Sequence, residues 1–493
     1  MKKVLVLICV LSLMLSFVSC SNESSNGSAD NTSANSTTSI IDSENVTLDR
    51  PVIPNDTNFD GYEFRILTEY GHAGEVNEVA VEESSADKLD DAVYRRNKIV
   101  ENLLNITIKS PVSDGKAVDY IRKTSMAGDI PFDAFDLKDH SNITLLKEGY
   151  LVDLHSIQTL DLSKEWWDQA LINEMSYKDK VYFAAGDINY FDDYSLMIIY
   201  FNKRLFSENQ LEYPYETVRQ GKWTFDIFSQ LIRGFTRDLD SNGLLDQNDL
   251  WGMCENYAAP YHFMLGAGEP IVSVDKNGIP SLNVLSERSL TVAQALNDLF
   301  SDKQSCLIAG LSVMPGITDT YADGIDKTFR DGRALMYANM IGMISGFRDM
   351  DDDFGLLPQP KFDDKQDSYY TFTSGGWAYS YSIPFVNDDA MISNAGLVLN
   401  TMAGYSSDTV QTALVETALK SKYTRDDESA EMLNIMFKSK KYDWAERYEI
   451  GIFNLYANKL MTIGSSKLVS SIDKEWAASQ SQIDALIETL DDL

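Results

Sequence analysis

Tyr62-Glu63-Phe64-Arg65-Ile66-Leu67 alternates polar and apolar side chains, the period of a half-buried strand. Leu89, Ala92, Val93, Arg96, Ile99, Val100, Leu103 and Leu104 then recur at helical spacing, and Leu104-Asn105-Ile106-Thr107-Ile108 alternates again. A strand, a helix and a second strand in that order predict an open α/β sheet with mostly parallel strands. The pattern continues through Phe132-Asp133-Ala134-Phe135-Asp136-Leu137, Val181-Tyr182-Phe183-Ala184 and Ser195-Leu196-Met197-Ile198-Ile199-Tyr200. A second series follows residue 200. Thr224 is placed to cap a helix carrying Ile227, Phe228, Leu231, Ile232 and Phe235 on one face, with Asp226 in its first turn. Further strands are expected at 333–337, 354–357 and 377–383, and Ile483, Leu486, Ile487 and Leu490 mark a final amphipathic helix. Two α/β lobes, each built from discontinuous stretches, fit this order better than beads on a string.

The chain has 493 residues, enough for two or three domains, and 44% hydrophobic with 24% charged residues are globular proportions. Asp and Glu total 75 against 42 Lys and Arg, a formal charge of -33 that repels phosphate backbones, so no nucleic-acid partner is expected. His72, His140, His155 and His262 show no metal-ligand spacing, and no Walker loop, H-E-x-x-H or G-x-S-x-G occurs. Ser85-Ala86-Asp87-Lys88 fits S-x-x-K but lacks its companion motifs.

Lys2 and Lys3 precede an apolar run from Val4 to Val18, short for a roughly 30 Å membrane core but of signal-sequence length. The run ends in Leu15-Ser16-Phe17-Val18-Ser19-Cys20, which resembles the lipobox of bacterial lipoproteins and implies lipidation at Cys20. Residues 1–19 are then a lipoprotein signal peptide, and 20–57 an anchor and flexible tether rich in Ser, Asn and Thr. The expected location is extracytoplasmic, lipid-anchored to the cell membrane. Beyond Cys20, only Cys254 and Cys306 remain, and spacing does not say whether they pair.

Five segments carry a family resemblance. Leu196 to Phe206 resembles the strand and "YNK-x-LF" turn of the extracellular solute-binding proteins of ABC transporters, family 1. Gly221-Lys222-Trp223-Thr224-Phe225-Asp226 is similar to their "G-x-WTWD" helix start, and Asp249-Leu250-Trp251-Gly252-Met253 to their "D-x-WG" strand. Phe329 to Met336 and Phe354 to Lys361 resemble their "F-x-x-G-x-A" and "FG-x-x-P-x-PK" segments, all in the family's order. The resemblance implies a two-lobed type II periplasmic-binding-protein fold with discontinuous lobes joined by hinge strands near Tyr200 and near 377–383. Lobe 1 is expected over 58–198 with 378–420, and lobe 2 over 199–377 with 421–493. It further implies a monomeric, non-catalytic binder that closes on a small solute and delivers it to an ABC permease.

Asp238, Asp240, Asn242, Leu244, Asp246 and Asp249 stand at positions 1, 3, 5, 7, 9 and 12 of an EF-hand-like loop, with Gly243 at position 6. Hard oxygens at that spacing predict a structural Ca²⁺. Twenty-five Tyr and seven Trp suit a carbohydrate cleft, where flat rings cover sugar faces. Because ligands bind outside strand carboxyl ends in open α/β sheets, the candidate ligand residues are Asp136, Asp187, Tyr190, Trp377 and Tyr379. Trp166 and Trp167, beside Leu160 and Leu162, read as core. The solute expected is an oligosaccharide. Two other readings share these features: a secreted glycoside hydrolase, and a carbohydrate-binding adhesin or sensor without a transporter.

Overall fold

The computed structural model describes residues 49–69, 78–113, 116–128, 130–347, 349–419 and 427–493. The signal segment, Cys20, the first part of the tether and His72 lie outside the described residues. No helix among the described residues is long and apolar enough to cross a membrane.

Two five-stranded sheets organise residues 49–493. The first places Tyr379–Ser382, Ala134–Lys138, Tyr62–Glu69 and Ile106–Lys109 side by side, with Val112–Ser113 also against Tyr62–Glu69. The second runs Phe354–Leu357, Met197–Asn202, Ala334–Met340, Trp251–Glu255 and Cys306–Ile308. Each sheet is parallel but for one reversed strand: Tyr379–Ser382 runs against Ala134–Lys138, and Met197–Asn202 runs against both of its neighbours. These reversed strands are the ones by which the chain passes from one sheet to the other. Beside them Leu196 bridges to Thr373, and Thr371–Phe372 pairs with Lys440–Lys441, so three passes of chain lie together between the sheets.

Local chemistry accounts for the first unit. Asp87 caps the helix Lys88–Leu104, its carboxylate accepting the Leu89 and Asp90 N–H groups at 2.9 and 3.2 Å, and Asn105 ends it in left-handed backbone at φ 52°. This occupies the Ser85–Lys88 segment structurally. The predicted stripe is buried except at Ile99 and Leu103, which lie on the rim of the helix face. Thr224 occupies the cap position of the helix Phe225–Ile232, yet its side chain makes no capping bond; the Phe225 N–H goes instead to the Lys361 carbonyl at 2.7 Å.

The strand expected at Val181–Ala184 does not form. Only Ala184 bridges to Tyr381, after which Gly186 turns the chain against the Trp166 backbone, too close for any Cβ. Trp166 and Trp167 are core, both indole N–H groups reaching the Asn400 side-chain oxygen at 3.2 Å. Cys254 and Cys306 are buried free thiols. Their strands pair Cys254 with Leu307 and Met253 with Cys306, so the two sulfurs leave opposite faces of the sheet and cannot bond.

Buried ion pairs hold the passages between sheets. Lys440 lies 2.9, 2.6 and 2.7 Å from Asp168, Asp192 and Asp193, with the Tyr442 hydroxyl on Asp168 and Asp192. Arg447, fully buried, pairs with Asp139 at the start of the first-sheet helix Asp139–Lys147.

Candidate functional site

In parallel α/β sheets the carboxyl ends of the strands leave a crevice where the connections part. In the second sheet that end is made by Glu255, Met340 and, because its strand is reversed, the first residue of Met197–Asn202. A cavity of about 490 Å³ opens there. Asn256 and Tyr257 contribute from the end of one strand, Asn339 and Met340 from the next, and Tyr321 and Asp326 from the turn before it. Ser374 and Trp377 reach in from the return passage, and Glu446 and Phe453 from the C-terminal segment.

Three rings stand open to the cavity: Trp377, Tyr257 and Tyr321 are 38%, 41% and 37% exposed, and the two tyrosines meet edge-on at 6.5 Å. Large rings exposed at a cavity offer flat apolar surface to a ligand. Trp377 is held in place from behind. The Glu446 carboxylate accepts the Gly375 N–H at 2.9 Å and the Ser374 hydroxyl at 3.2 Å, fixing the turn whose Trp377 and Ala378 N–H groups bond the Ser374 carbonyl. Burial pushes Glu446 up to about 7. Asp326 accepts the Tyr337 hydroxyl at 2.6 Å and is pushed by burial to about 6. His262 stacks on Phe372 at 5.3 Å, burial pulls it down to about 3, and its Nδ1 finds no hydrogen-bond partner among the described residues.

Of the five candidate ligand residues, the structure places Trp377 in this cavity and the other four in the first sheet's end. Asp136 is fully buried, pushed well above the carboxylate range by burial and by the neighbouring Glu78 carboxyl. Asp187 accepts the Ser407 hydroxyl at 2.5 Å and rises to about 7 through burial. Tyr190 packs on Phe191 and Tyr194 with centroids 5.3 and 5.4 Å away, and Tyr379 is edge-on to Phe191 at 5.5 Å. None of these four lines the cavity. Tyr257, Asn339 and Asp326 escaped the sequence reading, although the strand-end rule, applied to Trp251–Glu255, points straight at Asn256 and Tyr257.

In the Asp-rich loop, Asp238, Asp240 and Asp249 each bring an oxygen to within 4.8 Å of the others. Asp249 is fully buried and accepts the Leu239 and Asp246 N–H groups at 2.8 and 2.9 Å, while Asp238 accepts that of Gly243 at 2.8 Å. The Asn242 amide oxygen takes the Leu244 N–H at 2.7 Å, and Asp246 turns its carboxylate onto the Asn248 N–H at 2.8 Å.

No protein-family model matches the sequence, and no curated protein matches it significantly. Solved structures do match in fold. A cyclo/maltodextrin-binding protein complexed with maltotetraose aligns over 88% of this chain and 99% of its own, at 13% identity and a TM-score of 0.55. An ABC substrate-binding protein from Listeria monocytogenes in complex with cycloalternan aligns over 87% and 100%, at 14% identity and 0.52. UgpB from Mycobacterium tuberculosis, in complex with glycerophosphocholine, aligns over 87% and 99%, at 14% identity and 0.50. The chain therefore has the two-lobed fold of these binding proteins.

Proposed function

We propose that this chain is an extracytoplasmic solute-binding lipoprotein of an ABC importer, tethered through Cys20, which captures an oligosaccharide in the 490 Å³ cavity and releases it unchanged to a permease. One observation carries the reading: an open cavity at the carboxyl end of the second sheet, beside the passages between the sheets, lined by exposed rings and polar groups. Flat rings cover the apolar faces of sugars, and Asn256, Asn339 and Asn458 can bond hydroxyls in either direction. The fold supports it too, since two of the three aligned proteins hold oligosaccharides. Contacts completed only when both lobes meet would shift an open–closed equilibrium, and no bond need be made or broken.

Titration of the tryptophan fluorescence with a panel of oligosaccharides, with product analysis on the same samples, tests this. Saturable change with intact sugar is expected. Release of reducing ends over time would turn the assignment to a glycoside hydrolase, and silence toward every sugar would remove it. Binding without dependence of sugar uptake on the gene would favour the adhesin or sensor.

The convergence of Asp238, Asp240 and Asp249 supports a structural Ca²⁺ in their loop, with the Asn242 and Leu244 oxygens as further ligands. The ion would neutralise three carboxylates and pin the turn between the helix Phe225–Ile232 and the strand Trp251–Glu255. Added Ca²⁺ is expected to raise the melting temperature, and Asp240→Asn to reduce that rise; no shift with Ca²⁺ or chelator means a turn that closes on hydrogen bonds alone.

A further inference from the structure

The cavity bears charge of one sign. Among the described residues lining it, Asp326 and Glu446 carry carboxyls, and none is Lys or Arg. Directly behind Asn256, Glu255 is fully buried, one oxygen accepting the Asn256 N–H at 2.7 Å and Oε2 without a partner among the described residues. Burial first, then Tyr257 and the Glu255, Asp319 and Asp326 carboxyls, hold the Tyr321 hydroxyl above its ordinary range. Two nearby cations belong to other clusters. Arg447, next to Glu446, is buried against Asp139. Arg330, the cation felt by Asp326, lines a separate acidic hollow with Asp331, Asp349, Asp351 and Asp352. The other polar groups lining the cavity are neutral: phenols, side-chain amides, and the uncharged His262 with its unpartnered Nδ1.

An anion entering such a space meets carboxyls through a medium less screening than water, loses its hydration and finds no countercharge. An ammonium meets the opposite field, and a hydroxyl meets donors and acceptors it can use. We infer that the cavity selects by charge, accepting uncharged or amine-bearing saccharides and refusing those that carry a carboxylate, sulfate or phosphate. This rests on the solute-binding reading and narrows its substrate class. It differs from what the net charge of -33 does, which is to slow the approach of any anion from a distance and fade with salt.

The test uses the whole chain and three matched ligands, namely a neutral oligosaccharide that binds, its uronate with one primary alcohol oxidised to carboxylate, and its 2-amino counterpart. Tryptophan fluorescence titrations are run at physiological and at high salt. The uronate is expected to bind about 100-fold more weakly than the parent, with most of that gap surviving high salt, and the amine to bind at least as well. Asp326→Asn and Glu446→Gln, each measured separately after a check of folding by circular dichroism, are each expected to recover about tenfold for the uronate. Uronate binding within about threefold of the parent in the unmodified chain overturns charge selection and leaves the solute-binding reading standing. Silence toward neutral and amino sugars alike overturns both.

Discussion

The two sheets are built from the same strand-and-helix units, yet their carboxyl ends differ in kind. In the first sheet that end is filled: Tyr190, Phe191, Tyr194 and Tyr379 pack ring to ring, and Arg96, fully buried, gives its guanidinium to the Glu78, Val79 and Ile188 carbonyls at 2.8 to 2.9 Å. In the second sheet Trp377, Tyr257 and Tyr321 stay partly exposed at a cavity. Residue type does not separate the two ends, since both hold tyrosines and carboxyls. What differs is exposure: Tyr190 and Tyr379 are buried at the first end, while Trp377, Tyr257 and Tyr321 keep more than a third of their surface open at the second. A ligand reaches only exposed surface, so one end works as structure and the other as a site.

Lys440 gives the sharpest way to break this comparison, because it holds three buried aspartates beside the filled end. Lys440→Met leaves them uncompensated and is expected to cost about 3–5 kcal/mol in urea unfolding. A loss under about 1 kcal/mol would mean that water reaches the cluster.

The next largest effect is on pH. Glu446 sits at about 7 in the folded chain against an ordinary 4.5, so between those values the folded state keeps a proton that the unfolded state has released. Stability from this group is therefore expected to fall as pH rises from 4.5 toward 7 and to level off above it. Asp187 and Glu78, each raised by burial to about 7, act in the same direction at the filled end. Glu446→Gln removes its share, on the order of 1–3 kcal/mol, from the slope of unfolding free energy between pH 5 and 8. An unchanged slope would put the Glu446 carboxyl in contact with solvent.

Trp377→Ala tests the open end directly. Sugar affinity is expected to drop about tenfold with the melting temperature held, since the ring adds little to the core. Equal losses of affinity and melting temperature would make Trp377 a packing residue. The smallest effect belongs to Asp136→Asn, which exchanges a buried carboxyl for an amide of the same shape at the filled end. Affinity there should stay within about twofold of the unmodified chain.

Much of the fold was legible because the signals are local. Asp87 before a helical stripe, and alternation in Tyr62–Glu69, Phe354–Leu357 and Tyr379–Ser382, need only near neighbours to be read. Val181–Ala184, an apolar run, formed no strand, because pairing requires a free edge along its whole length and Gly186 leaves that edge after one bridge. The candidate site was legible at Trp377, which combines a strand-end position with an aromatic ring. It was not legible at Asp326, Asn339 and Glu446, which meet in one cavity from distant stretches of chain.

The sequence by itself determined the α/β class, most of the strands and the acidic, tyrosine-rich composition, since periodicity and composition act residue by residue. Tertiary structure decided that Cys254 and Cys306 face opposite ways, that Tyr190 and Tyr379 are core, and that Tyr257 and Tyr321 are open. The reason is that burial and hydrogen-bond satisfaction are properties of neighbours brought together by folding. The same tyrosine seals one sheet end and lines the other, according only to what packs behind it.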